Sequence, residues 1–121
     1  MHVIDHSVAV GTGDAVMTVT RWEQFPIVKD LPFGGMWYSV APLGASPRDQ
    51  HPDMELSVVL RGEADVEVGG RRTRVAQGSA FLLDSAEAHV IHNPSADTPL
   101  LIFSAYWMPP ASGAADTSPG Q

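Results

Sequence analysis

The chain has 121 residues, 44% of them hydrophobic, and a formal net charge of -7 at pH 7. This length and apolar content predict one domain of ordinary size with a single core. The acidic balance, with Lys29 as the one lysine, argues against nucleic acid and against anionic membrane surfaces as partners, because both bind through clustered Lys and Arg.

The N-terminal segment and the composition indicate where the protein is expected to be located and which metal ligands it can offer. The segment 1–6 has no basic region followed by an apolar one, so no secretory signal is expected and a cytoplasmic location is the default. The longest apolar stretch, near Leu100 to Met108, is shorter than the ~20 residues that a membrane-spanning helix needs. Because the chain has no cysteine, any bound metal must take nitrogen and oxygen ligands.

Short alternating or β-branched runs between turn residues predict an all-β sandwich or barrel, and sustained helical periodicity is missing. The predicted strands, in chain order, lie near Ala15 to Trp22, Met36 to Ala41, Met54 to Leu60, Ala64 to Val68, Thr73 to Val75, Ala80 to Leu83, His89 to Asn93 and Leu100 to Trp107.

One hairpin can be placed in register. Gly69-Gly70 supplies two adjacent residues that tolerate positive φ, as a tight two-residue turn requires. Pairing outward from this turn sets Glu67 opposite Arg72 and Asp65 opposite Arg74, and each such pair contributes about 0.2 to 1 kcal/mol. The other face of the hairpin is predicted to enter the barrel, with Ala64, Val66 and Val75.

The C-terminal segment 111–121 is small, polar and rich in turn residues, and it follows the Pro109-Pro110 stop. Such a composition predicts a disordered tail. Residues 1–110 then form the single predicted domain.

Four polar side chains form a candidate metal site. Asp49, His51 and Glu55 have the same parity, so in an extended strand they would share one face. His89 must arrive from another strand. Two imidazoles and two carboxylates can hold one divalent ion, and binding should weaken as the pH falls because the ligands must be deprotonated.

These residues resemble the two motifs of the cupins, small double-stranded β-helix (jelly-roll) barrels. The first motif, G-x5-H-x-H-x3-E-x6-G, is matched by Gly44, Pro47, His51, Pro52, Glu55 and Gly62. The second, G-x5-P-x-G-x2-H-x3-N, is matched in spacing by Gly78, His89 and Asn93. The resemblance implies a cupin barrel with the metal ligands inside it.

The chain departs from the cupin motifs at four points. Asp49 stands where the family has its first histidine, and the segment before it is one residue shorter; Asp84 and Ala86 replace the proline and glycine of the second motif. With Asp49 the resemblance implies a two-histidine, two-carboxylate set suited to Zn, Fe, Mn or Ni. If Asp49 points away, a two-histidine, one-carboxylate triad remains. The alternative is a hydrogen-bonded polar cluster in a metal-free barrel.

Other polar residues are assigned by parity. His92 should face away from His89, and the Asn93 amide is expected to satisfy backbone groups near a turn. On the last strand, Ser104 and Tyr106 form the candidate pocket wall, opposite an apolar stripe of Leu101, Phe103, Ala105 and Trp107 suited to core packing or a dimer contact. Tyr38 and Tyr106 are the candidate catalytic residues.

The expected function is a metal-dependent enzyme acting on a small molecule, in which the ion polarises a carbonyl. A narrower resemblance, carried by 36–38, 51–55, 89–93 and 104–109, is to cupins that accompany methionyl-tRNA-synthetase-like proteins and form N–N bonds (hydrazines) in secondary metabolite biosynthesis. A non-haem iron dioxygenase and a non-catalytic binding or sensing module are the alternatives. A homodimer and a synthetase-like partner are expected by analogy.

Overall fold

The computed structural model describes residues 1–110, and the predicted tail at 111–121 lies outside them. Three short 3-10 helices span His6–Val8, Trp22–Gln24 and Pro26–Asp30. The strands are β1 (Thr12–Gly13), β2 (Met17–Arg21), β3 (Gly34–Val40), β4 (Met54–Arg61), β5 (Ala64–Val68), β6 (Arg71–Val75), β7 (Ala80–Leu83), β8 (His89–His92) and β9 (Leu100–Trp107).

The strands form two antiparallel sheets. The larger has the order β1-β2-β3-β9-β4-β7 and the smaller has the order β6-β5-β8. Their facing side chains make the core, which includes the fully buried Val40, Val59, Leu100 and Ile102. The all-β double-stranded β-helix predicted from the sequence is therefore confirmed.

All eight predicted strands are present, with bounds shifted by at most two residues at either end. The prediction missed β1, because a two-residue strand carries no periodicity that a sequence pattern can display. None of the helices in residues 1–110 is long and apolar enough to span a membrane.

The β5-β6 hairpin has the predicted register, with Asp65 opposite Arg74 and Glu67 opposite Arg72. The turn glycines adopt φ values of 59° and 77°, a region that side chains with a Cβ rarely enter. The predicted inward face is also confirmed, because Ala64, Val66 and Val75 are all buried.

The large sheet aligns three rows of inward side chains, and these rows build the site. One row pairs Gly34 of β3 with Tyr106 of β9, and Tyr106 with Glu55 of β4. The next rows along the sheet are Arg21-Met36-Ser104-Ser57 and Val19-Tyr38-Ile102-Val59.

Asn93 follows β8 directly, and its side-chain amide bonds to backbone groups near a turn, as predicted. It is 2% exposed, and its side-chain nitrogen donates to the carbonyl oxygens of Val40 (3.0 Å) and Thr98 (2.9 Å). Its Oδ1 accepts from the backbone N–H of Ser95 at 3.0 Å. One amide therefore satisfies three backbone groups, one from β3 and two from the loop between β8 and β9.

Asn93→Ala should lower the free energy of unfolding by about 2 to 4 kcal/mol, because buried backbone groups lose their partners. Urea unfolding followed by circular dichroism measures this change. The exposed Thr73→Ala in β6 is the control and should change stability by less than about 0.5 kcal/mol. Equal unfolding midpoints for the two variants would contradict the role of Asn93.

Candidate metal centre

The site depends on how the segment 44–49 lies along β8. Asp49 and His89 exchange two backbone hydrogen bonds, with N to O distances of 3.0 and 2.9 Å. Ala45 forms an antiparallel β-bridge with His92. Residues 45–49 thus lie opposite the four residues of β8. The extra residue makes a bulge at Pro47, which has no N–H to donate. Directly paired residues point to one face, so Asp49 and His89 project together.

Three of the four predicted ligands converge at this place. One ligand atom each from Asp49, His51 and His89 lies within 4.8 Å of the other two. His51 and His89 meet edge to face, with ring centroids 5.3 Å apart. Glu55 is outside this trio but contacts it, since its Oε1 is 3.1 Å from His51 Nε2.

The convergence does not arise from the extended strand that the parity argument assumed. Residues 50–53 are not in a strand, and the chain bends at Pro52 and Asp53 before β4 begins at Met54. Because alternation applies only within a strand, the shared parity of Asp49 and Glu55 is not what brings them together. Pairing with β8 positions Asp49, and the start of β4 positions Glu55.

A turn from the second motif connects the two ligand-bearing loops. The Ala86 N–H donates to the His51 carbonyl oxygen at 2.7 Å, and Ala86 has a φ of 62°. That backbone region favours glycine, which is the residue that the cupin motif has at this position. The replacement therefore keeps the turn at a cost in backbone strain.

The imidazole hydrogen bonds define the donor atoms that face the site. His51 Nδ1 is 3.2 Å from the Asp53 carbonyl oxygen, and His89 Nδ1 is 3.0 Å from that of Glu87. A carbonyl only accepts, so each Nδ1 must carry the proton. In a neutral ring with the proton on Nδ1, Nε2 carries the lone pair, which is the usual arrangement of metal-binding histidine.

If the His51 ring is neutral, its Nε2 faces Glu55 Oε1 lone pair to lone pair across 3.1 Å. Such a contact is repulsive unless a proton or another cation lies between the two atoms. Neighbouring ligands at about 2.1 Å from one ion, at right angles, are themselves about 3 Å apart. The residues present therefore fit a divalent ion.

Glu55 is a buried carboxylate, 4% exposed. Its Oε2 accepts from the Ser57 hydroxyl at 3.2 Å, and Ser57 in turn lies 2.7 Å from the Ser104 hydroxyl. Removing a carboxylate from water is costly unless it is paired with positive charge. One hydroxyl and one imidazole give Glu55 only part of that compensation.

Two connected cavities adjoin the ligands and share Met36, Asp49 and Glu55. The polar cavity, of about 300 Å³, is also lined by Arg21, His51, Asp53 and Tyr106. The apolar cavity, of about 320 Å³, is also lined by Met17, Val19, Tyr38, Ser46, Pro47, Arg48, His89 and Ile91.

Tyr38 faces the apolar cavity from β3 and is 3% exposed. Burial raises the pKa of Tyr38 well above its ordinary value, and the negative charge of Glu55 raises it further. Hydrogen bonding to Ser57 and Ser104 opposes this shift. The phenol therefore stays protonated and can donate a hydrogen bond.

Tyr106 faces the polar cavity from β9, as predicted for the pocket wall. Its hydroxyl donates to Glu23, at 2.6 and 2.9 Å from the two carboxylate oxygens, and accepts from Arg21 Nη1 at 3.3 Å. Partial burial, followed by the hydrogen bond to Glu23, raises the pKa of Tyr106 to about 12. Gly34 makes room for the ring, since a Cβ there would lie 2.3 Å from Tyr106 Cε1.

Sequence reasoning missed Arg21 and Ser57. Ser57 shares the parity of Glu55 within β4, and this signal was available. Arg21 shares the parity of Met17 and Val19, but its place beside Tyr106 depends on the pairing of β2, β3 and β9. His92, by contrast, lies outside the barrel as predicted, with Nε2 2.8 Å from Glu67 Oε1.

A sequence profile of the cupin domain matches residues 36–106, more than half of the chain. No curated protein sequence matches the chain.

Solved structures with the same fold include a Photorhabdus luminescens protein, with a TM-score of 0.74 and 21% identity over 100% of this chain and 98% of that one. A predicted oxalate decarboxylase from Thermotoga maritima has a TM-score of 0.76 and 15% identity, covering 89% of this chain and 100% of its own. A polyketide cyclase from Streptomyces resistomycificus has a TM-score of 0.70 and 18% identity, covering 92% and 82%. At these identities the similarity shows the fold alone.

The raised tyrosine pKa values predict that neither of the two tyrosines ionises near pH ~10, the ordinary value, in the folded protein. The unfolded chain releases these protons first, so stability should fall as the pH rises from ~10 toward the folded value, about 12 for Tyr106. Tyrosinate absorbance during alkaline titration measures the pKa values of both tyrosines. Tyr106→Phe and Tyr38→Phe isolate each residue, and a tyrosine that titrates normally before unfolding would refute the prediction.

Proposed function

The chain belongs to the cupin family, and we propose that it is a metal-dependent enzyme that acts on a small molecule at the centre formed by Asp49, His51, Glu55 and His89. The neighbours in fold include proteins described as a polyketide cyclase and a predicted oxalate decarboxylase. These names are compatible with small-molecule chemistry and do not define this chain's reaction.

The observation that carries the proposal is the 3.1 Å contact between His51 Nε2 and Glu55 Oε1. His51 Nδ1 donates to a carbonyl, so a proton or a metal ion must lie between Nε2 and the Glu55 oxygen, and the proposal takes it to be a metal ion. One ligand atom each of Asp49 and His89 lies within 4.8 Å of one of His51, and these supply two further donors. The nitrogen and oxygen donors suit Zn, Fe, Mn or Ni.

A divalent ion bound there supplies Lewis acidity toward a substrate carbonyl or hydroxyl. Tyr38 is proposed to donate a hydrogen bond to the substrate oxygen, since its raised pKa keeps its proton in place. The Tyr106 hydroxyl already uses its hydrogen-bond donor on Glu23, so its proposed role is to shape the polar cavity and orient its neighbours. The apolar walls of the other cavity exclude water from the substrate body.

Within this class we propose N–N bond formation alongside a synthetase-like partner, supported by the resemblance over residues 36–38, 51–55, 89–93 and 104–109. The alternatives are a non-haem iron dioxygenase and a non-catalytic binding or sensing module. Oxygen uptake during turnover distinguishes the dioxygenase, and binding without turnover distinguishes the module. An adjacent synthetase-like gene with a hydrazine product would support the first proposal.

We also propose a homodimer through the outward face of the large sheet. Leu56 and Leu82 are cross-strand neighbours there, 40% and 50% exposed. The paired outward positions around them are uncharged: Val58, Ala80, Leu101, Phe103, Ala105 and Trp107. Two copies of a chain with a net charge of -7 repel each other, so an uncharged apolar face is where they can approach.

His51→Ala and His89→Ala should each lower metal affinity by at least about tenfold, because each removes a ligand nitrogen. Elemental analysis of untagged protein, followed by competition with a chelator, measures the affinity. His92→Ala is the matched control, since His92 is on the same strand as His89 but bonds to Glu67 outside the barrel. Metal-free wild-type protein, or equal loss in His92→Ala, would contradict the proposal.

Leu82→Asp should convert the dimer to a monomer in sedimentation velocity, because it places a charge in the apolar interface. Leu43→Asp serves as the control, since Leu43 is 70% exposed and lies in a loop after β3. A monomeric wild-type protein, or a dimer that tolerates Leu82→Asp, would refute this interface.

A further inference from the structure

Arg21 brings a cation into a cavity otherwise rich in carboxylates. Within β2, Met17 and Val19 line the apolar cavity, and Arg21, two residues further on the same face, lines the polar one. The register pairs Arg21 with Met36, one row along the sheet from Tyr106 and Glu55. The guanidinium is therefore presented beside the metal ligands by a regular strand.

The Arg21 side chain is held in place but retains free donors. Its Nη1 donates to the Tyr106 hydroxyl at 3.3 Å and is 3.9 Å from Met36 Sδ. Glu23 binds the far side of the same hydroxyl. Within residues 1–110, no carboxylate lies at ion-pair distance from Arg21. Since a guanidinium has five N–H donors, most of them remain available to a ligand.

The surrounding charges indicate which anion would fit. Asp49, Asp53 and Glu55 line the same cavity and repel a multiply charged group such as phosphate more strongly than a singly charged one. A carboxylate carries one charge and matches the planar fork of a guanidinium in bidentate geometry. The adjoining apolar cavity offers Met17, Val19 and Ile91 to a hydrocarbon body.

We propose that Arg21 is the specificity-determining residue of this cupin and binds a carboxylate group of its substrate. The substrate class is then a small carboxylic acid whose apolar body enters the second cavity. This inference rests on the proposed function and deepens it, because it names the substrate class of the same site. Tyr106 is a positioning residue that orients the guanidinium through its hydroxyl.

The test compares phenylacetate with phenylacetamide, a neutral molecule of nearly the same shape, by isothermal titration calorimetry on zinc-loaded protein. Wild-type protein should bind phenylacetate more tightly than the amide. Arg21→Gln should raise the phenylacetate Kd by about tenfold or more and leave the amide Kd unchanged. Tyr106→Phe should raise the phenylacetate Kd by a smaller factor, again without effect on the amide.

Arg61→Gln is the matched control for loss of one positive charge. Arg61 ends β4, about 20 Å along the strand from Glu55, and its substitution should leave both Kd values within about twofold of wild type, as is usual for changes away from the site. The proposal is overturned if wild-type protein does not prefer the acid, or if Arg21→Gln binds it as wild type does.

Metal content, measured separately for each variant, keeps the two proposals distinguishable. If the wild-type protein binds no metal, the proposed metal centre fails, while the same titrations on that protein still judge Arg21. If metal is bound and Arg21→Gln retains it but keeps full affinity for phenylacetate, the substrate-class inference alone fails.

Discussion

Two backbone hydrogen bonds between Asp49 and His89 hold together segments that are distant in the chain. Together with the hydrogen bond from the Ser46 N–H to the Ile91 carbonyl oxygen, this pairing places the loop that carries Asp49 and His51 beside β8. The bulge near Pro47 and the turn hydrogen bond from Ala86 to the His51 carbonyl fix the same loop from its two sides. Side-chain convergence at the site is thus a consequence of backbone pairing, which explains how ligand positions tolerate changes in ligand identity.

The electrostatics of the site follow from burial on the large sheet. Glu55 enters the cavity next to Ser57 and beneath Tyr106, where water is largely excluded and a charge is expensive. The Ser57 hydroxyl, itself hydrogen-bonded to Ser104, satisfies one of its lone pairs but contributes no charge. A cation bound at the proposed ligands would therefore stabilise the folded barrel, since binding to the native state alone adds to stability.

The sequence predicted most of the fold because its signals are local. Alternation located the strands, and Gly69-Gly70 with its opposed charges set one register that the structure confirms. The candidate site was predicted less completely, because it depends on pairings between distant strands. Arg21 and Tyr106 are brought together by the order β2-β3-β9, which no local pattern contains. Likewise, the bend at Pro52 invalidated a parity argument that holds only in extended chain.

The substitution of Asp49 for the cupin histidine connects the metal centre to Arg21. A divalent ion held by the three imidazoles and one carboxylate of the cupin motifs would keep a net charge of about +1, which attracts an anionic substrate. With Asp49 and Glu55 both ionised, the ion is neutralised and that attraction is lost. Asp53 adds a further negative charge to the cavity wall. A carboxylate substrate then needs another cation near the centre, and Arg21 lies on the same cavity with most of its donors unused. With aspartate at position 49, an anion would be attracted mainly by the arginines that line the two cavities, Arg21 in the polar one and Arg48 in the apolar one.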